Sequence, residues 1–273
     1  MKKALIIGLD NYGTNIEPSF GCINSATRWE YTLKDRFNFD IVKLLTDKDA
    51  TTQRIKDEFN ESIDSLERED LFVFIFIGHG YNEDEDGDGN DEESDDKSEK
   101  MLTYDGKISD NGIREMLDKN TKNARIVLFI EACYNGSINE KSDPIFITEK
   151  ANEIVFTACG SNDRAQLHTF DGLKIGVFTY YATKFLWESP TVNYVDFFRR
   201  VEFEIKNHQF VQEPQFIYTN ENYITENIFS SYKSSFPITA FFPYILANPN
   251  IRLQTFDNLM NGVKLITTNY FKS

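Results

Sequence analysis

The sequence predicts an α/β protein, a three-layer α/β/α sandwich around a mostly parallel sheet of about six strands. Short runs rich in apolar and β-branched residues recur at 3–9, 40–45, 71–77, 125–130 and 153–159. Each is too short for a core helix, and several are apolar at successive positions, the pattern of strands buried on both faces. Stretches with helical spacing lie between the early runs, and that alternation implies parallel strands with helices on both faces.

The run at 3–9 leaves through Asp10-Asn11-Tyr12-Gly13, which reads as a loop. Residues 24–37 carry a helical pattern, with Ala26, Trp29, Tyr31, Leu33 and Phe37 apolar and Arg28, Glu30, Lys34 and Asp35 polar. After the run at 40–45, residues 49–52 read as a cap, and Ile55, Phe59, Ile63 and Leu66 form one face of the next helix. Residues 81–100 interrupt the rhythm; loops of that length are functional or disordered. Residues 109–117 read as a helix burying Ile113, Met116 and Leu117. After 125–130 an irregular connection runs to about Lys150, and 153–159 is a fifth strand. Helices are expected at 175–187 and 193–207, and an edge strand at 212–218, because Pro214 has no N–H to donate. Residues 229–273 show no clear pattern. The expected division is one domain over 1–228, with an acidic insertion at 83–100, and an appendage over 229–273.

With 273 residues, 40% of them hydrophobic and 14% aromatic, the chain can bury a sizeable core. Its net charge is −15, but residues 83–99 alone contribute −10, eleven Asp/Glu against one Lys. The acidity therefore belongs to one loop, and it argues against nucleic-acid binding. Three cysteines, an odd number, argue against a disulfide framework and for a reducing compartment. The apolar run after Lys3 stops too early for a signal peptide, and no stretch has membrane-spanning length. A cytoplasmic monomer follows as the expectation, with no membrane partner.

Two runs end in residues that carry chemistry. The run at 125–130 is followed by Glu131, Ala132 and Cys133, then by Tyr134-Asn135-Gly136-Ser137, which is turn chemistry. The run at 71–77 is followed by Gly78-His79-Gly80. Parallel neighbours would bring Cys133 and His79 out at one edge of the sheet, where open α/β sheets place their ligands. A thiol beside an imidazole is the minimal kit for thiolate catalysis. Taken singly, Cys133 also reads as a buried apolar residue and His79 as a structural histidine; glycine and polar neighbours weigh against that for Cys133, and the two residues together weigh against both.

Four segments in order resemble the metacaspases, within the broader caspase-like peptidases: Gly21-Cys22-Ile23-Asn24-Ser25-Ala26, Gly78-His79-Gly80, Glu131-Ala132-Cys133-Tyr134-Asn135-Gly136 and Gln212-Glu213-Pro214-Gln215. The resemblance covers roughly 2–218, and it implies a caspase-like sheet and a cysteine endopeptidase acting on protein or peptide. Cys133 would attack the scissile carbonyl, His79 would transfer the proton, and the amides of Cys133 and Gly80 would form the oxyanion hole.

The same resemblance implies cleavage after Arg or Lys, read by carboxylates in the first specificity pocket. Glu131 stands at one such position, Ser25 replaces the other carboxylate, Ile77 replaces a serine, and Cys22 lines the region. A single Glu131 can pair an arginine bidentately, so the expectation is basic-residue cleavage with weaker selectivity than the family norm. The other reading of Glu131 is a rim carboxylate that contacts nothing.

Many metacaspases need calcium. Asp84, Asp86 and Asp88 with Gly89 reproduce the first half of a calcium loop, although Asp91 stands where an apolar residue is usual. Asp110 and Glu140 fall near two further ligand positions of the family. Ca2+ is thus a candidate cofactor; the competing reading is a solvated charge run. Self-cleavage at Lys141 or Lys150 is suggested by the lysines alone. The main alternative function is a calcium-responsive or protein-binding module on the same fold with catalysis lost. An acidic flavodoxin-like sensor leaves Gly78-His79-Gly80 and Glu131-Ala132-Cys133 unexplained.

Overall fold

A computed structural model describes residues 1–13, 15–83, 98–133, 152–160, 164–218 and 220–230. The chain divides into two compact units, Met1–Ser231 and Tyr232–Ser273. The first contains every described element; the second lies outside the described residues, as does most of the expected appendage.

Six strands form the main sheet in the order β10-β7-β6-β3-β1-β2. They are β1 (Lys2–Gly8), β2 (Ile41–Thr46), β3 (Leu71–Glu83), β6 (Arg125–Cys133), β7 (Glu153–Thr157) and β10 (Gln215–Tyr218). All neighbours are parallel except β10, which closes one edge antiparallel to β7. Two short strands, β4 (Ser98–Leu102) and β5 (Lys107–Ser109), continue antiparallel from the far half of β3. The acidic segment 84–97, outside the described residues, joins β3 to β4.

The central strands bury both faces, and their residues sort by parity. Ala4, Ile6, Val73, Ile75, Ile77, Val127 and Phe129 pack on one side with α1 (Cys22–Tyr31), α4 (Val177–Glu188) and α5 (Tyr194–Asn207). Leu5, Ile7, Phe72, Phe74, Phe76, Leu128 and Ile130 pack on the other with α2 (Thr52–Asp64) and α3 (Asp110–Asp118). This is why the runs read as continuous rather than alternating. Across β6, β7 and β10, Phe129, Phe156 and Phe216 stack in sequence with ring centroids 4.8 and 4.7 Å apart, a form of cross-strand pairing that fixes register. Phe229 belongs to this core as well, edge-on to Phe37 and Phe39.

Helices α2, α3 and α5 start on local caps. Thr51 accepts from the Arg54 amide, Ser109 from Gly112 and Asn193 from Asp196. The helix expected over 24–37 is α1 followed by a wider turn at Thr32–Arg36. Tyr31 is exposed, stacked on Trp187, rather than buried with its apolar neighbours. Between β7 and α4 lies a hairpin that the sequence reading did not anticipate, β8 (Leu167–Phe170) and β9 (Leu173–Gly176). Its strands are four residues each, short enough to read as helix approach. No helix among the described residues is long and apolar enough to cross a membrane.

Candidate active site

β3 and β6 are neighbours, and their ladder runs from Leu71 opposite Arg125 to His79 opposite Cys133. The sequence placed both residues just past their strands. They are instead the final rung of the parallel ladder, because β3 continues to Glu83 and β6 to Cys133. No turn forms at Gly78 or Gly80, since β4 takes up the pairing of β3, with Gly80 opposite Met101. Paired positions share a face of a sheet, and adjacent strands lie about 4.8 Å apart. Positions 79 and 133 are therefore neighbours, as thiol–imidazole chemistry requires.

His79 is half-buried and held at several points. Its backbone N–H donates to the Tyr12 hydroxyl at 2.7 Å, and its ring stacks on Tyr12 with centroids 5.3 Å apart. Its Nε2 lies 2.9 Å from the carbonyl oxygen of Glu17. A carbonyl can only accept, so in the neutral ring Nε2 carries the proton and Nδ1 keeps a lone pair.

The loop supplying Tyr12 and Glu17 is fastened by two carboxylates. Asp10 accepts from the amides of Gly21 and Ile23, each at 3.0 Å, and so caps α1. Asp47 accepts from the amides of Asp10 and Asn11, each at 2.9 Å, and from the Asn11 side chain at 2.8 Å. None of Tyr12, Glu17, Asp10 and Asp47 was singled out from the sequence. The available signal was position, since Asp10 and Tyr12 sit in turn chemistry just past β1, at the same end of the sheet as His79.

Glu131 does not sit idle on a rim: among the described residues it is buried and bonded. It is 5% exposed, and its carboxylate lies over the first turn of α4. It accepts from the amides of Phe178 at 3.0 Å and Thr179 at 3.3 Å, and from the Thr179 hydroxyl. Trp29 in turn donates its indole N–H to that hydroxyl at 2.9 Å. The orphan donors of a helix start thus receive a carboxylate from a different strand. Burial nevertheless dominates, pushing the Glu131 carboxyl up to about 7 against the three hydrogen bonds that pull it down. Gly176 makes the approach possible, because a Cβ there would lie 2.3 Å from Glu131 Oε1.

The other expected pocket residues are also internal. Ser25 is 0% exposed; its hydroxyl donates to the Gly21 carbonyl at 2.9 Å and accepts from the Gly176 amide at 2.8 Å. Ile77 and Cys22, 1% and 3% exposed, pack in the core on the α1 side. Ser25 and Glu131 do converge, and the partners they share among the described residues are at the start of α4. Of the fourth signature, Gln212 is buried and joins the Ala158 carbonyl to the Gln166 amide, each at 2.9 Å.

Among the candidate calcium ligands, Asp84, Asp86, Asp88 and Glu140 lie outside the described residues, as do Lys141 and Lys150. Asp110 occupies the first turn of α3, where its carboxylate accepts from the Asn111 amide. Among the described residues no group of three or more His, Cys, Asp or Glu side chains is placed to hold a metal ion.

A mostly parallel sheet with a Cys–His rung at its end is the arrangement of a caspase-like peptidase. The family described as "Metacaspase, peptidase C14 domain" matches residues 2–141, more than half of the chain, and the chain belongs to that family. Among solved structures, protein GSU0716 from Geobacter sulfurreducens is similar, with a TM-score of 0.66 and 19% identity over 84% of this chain and 98% of that one. At that identity the likeness concerns the fold alone. No curated protein matches.

Proposed function

We propose that this chain is a cysteine endopeptidase in which Cys133 and His79 act as a dyad. Cys133 Sγ attacks the scissile carbonyl carbon as its proton passes to His79 Nδ1. The tetrahedral oxyanion is held by amide donors, for which Cys133 and Gly80 are the candidates. As the C–N bond breaks, Nδ1–H gives its proton to the departing amine. Water, deprotonated by the same nitrogen, then hydrolyses the thioester and frees the thiol. The observation that carries this reading is the His79–Cys133 rung, with Nε2–H held by the Glu17 carbonyl so that Nδ1 is free to exchange protons. Hydrolysis of a peptide library by the wild type, and its loss in Cys133→Ala, tests it. Activity unaffected by Cys133→Ala would refute it.

Cleavage after Arg or Lys is retained only as a weak preference. Glu131 already serves α4, and Ser25 carries no charge, so a basic side chain gains little from either. A library profile is expected to favour Arg or Lys over Leu by less than about tenfold, far below what a desolvated bidentate pair supports. A preference of a thousandfold or more would mean that Glu131 leaves α4 to meet substrate.

Calcium, if bound, would be held by Asp84, Asp86, Asp88, Asp110 and Glu140 as oxygen ligands. No step above depends on it. Activity is expected to be equal in excess chelator and in millimolar calcium; a rise of tenfold or more with calcium would give those carboxylates a regulatory role. A reducing compartment such as the cytoplasm suits a catalytic thiol and the two buried cysteines, Cys22 and Cys159. The rival reading, a protein-binding module without catalysis, does not account for the hold on His79.

A further inference from the structure

The contacts on His79 act on different parts of the residue. Glu17 engages a ring nitrogen, while Tyr12 engages the peptide N–H and one face of the ring. Tyr12 comes from the β1–α1 loop, 67 residues away in the chain. It is buried, which pushes its phenol pKa up and keeps the hydroxyl protonated and neutral. A phenylalanine would fill the same volume without bringing a hydroxyl out of water, so the oxygen needs a separate reason to be there.

The neighbouring glycine points the same way. Gly78 has no positive φ among the described residues, so backbone freedom is not what it supplies. A Cβ on Gly78 would instead lie 2.9 Å from the Tyr12 hydroxyl oxygen. The first glycine of Gly78-His79-Gly80 leaves the space through which that oxygen reaches the His79 amide. The loop is itself fastened through Asp10 and Asp47 and by the Gly13 amide, which donates to the Tyr104 carbonyl at 2.7 Å. The phenol therefore sits on an anchored support.

We propose that Tyr12 is a positioning residue for His79, its hydroxyl fixing the peptide and its ring fixing the imidazole plane so that Nδ1 stays turned for proton transfer at the Cys133 position. The kinetic consequence rests on the cysteine-peptidase reading; the consequence for the ring does not. Tyr12→Phe removes only the oxygen, and Tyr12→Ala removes the stack as well. In Tyr12→Phe, kcat on a peptide amide is expected to fall about tenfold with KM within about twofold, the scale of one lost hydrogen bond. In Tyr12→Ala, kcat falls about a hundredfold, so the phenylalanine variant is a partial rescue.

The second readout is the nitrogen-15 spectrum of the imidazole, assigned against His79→Ala in a chain with three histidines. The wild type should show the neutral His79 ring with the proton on Nε2, and Tyr12→Ala a mixture of tautomers. Wild-type kcat in both variants, an effect confined to KM, or ring signals unchanged in both overturns the proposal. If Tyr12→Ala does not fold, Tyr12→Phe decides it by kcat. If the wild type hydrolyses no peptide, the peptidase reading fails, and the ring spectra alone decide the role of Tyr12.

Discussion

His79→Ala is expected to lower kcat for peptide amides by about a thousandfold, while hydrolysis of an activated ester falls by only about tenfold. The difference follows from the leaving groups. An amine departs only with a proton, which Nδ1 delivers in the proposed mechanism; a stabilised alkoxide departs without one. Nδ1 is available for this because the Glu17 carbonyl engages Nε2. Steady-state kinetics on matched amide and ester substrates measures the split. Equal losses on both would mean that His79 does not deliver the proton to the leaving group, and no loss on either would remove it from the mechanism. Cys133→Ala serves as the control, since it should abolish both reactions.

Glu131→Ala is expected to destabilise the fold by about 2–4 kcal/mol, because it strands two buried amides and a hydroxyl at the start of α4 and leaves a cavity. The sign of the pH dependence follows from the carboxyl being raised. The folded-state value is about 7 against an ordinary value of 4.5, so between those pH values the folded protein holds a proton that the unfolded chain has released. Stability therefore falls as pH rises from about 4.5 to about 7, by roughly 3 kcal/mol, and is flat above that window. Glu131→Gln mimics the protonated acid, so it should fold and should lack this slope. Denaturant midpoints at pH 5 and pH 8 measure both effects. An unperturbed Ala variant, or a Gln variant with the wild-type slope, would contradict the capping role.

How far the sequence revealed this site depended on the range of the contacts involved. The buried runs, the parallel order and the edge position of 215–218 were legible because burial on both faces leaves a local apolar signature. The closeness of positions 79 and 133 was legible because each follows such a run. The roles of Glu131 and Ser25 were not, because what decides them is the start of α4, 47 and 151 residues away in the chain. A carboxylate beside a nucleophile looks the same in sequence whether it faces substrate or a helix end. Gly176 held the missing signal, since only a residue without Cβ admits the carboxylate there. Tyr12 and Glu17 were hidden for a related reason, as a loop written in turn residues gives no sign of which strand it folds over. The β8–β9 hairpin was missed because its four-residue strands are too short to establish a period.

The pairing of Cys133 with His79 is tested most directly by the pH dependence of Cys133 alkylation by iodoacetamide, located by peptide mass, in the wild type and in His79→Ala. Cys22 and Cys159 are buried and should label slowly. The wild-type midpoint is expected below the ordinary thiol value of about 8.5, with that of His79→Ala returned to it. Superimposable profiles for the two proteins would contradict the pairing.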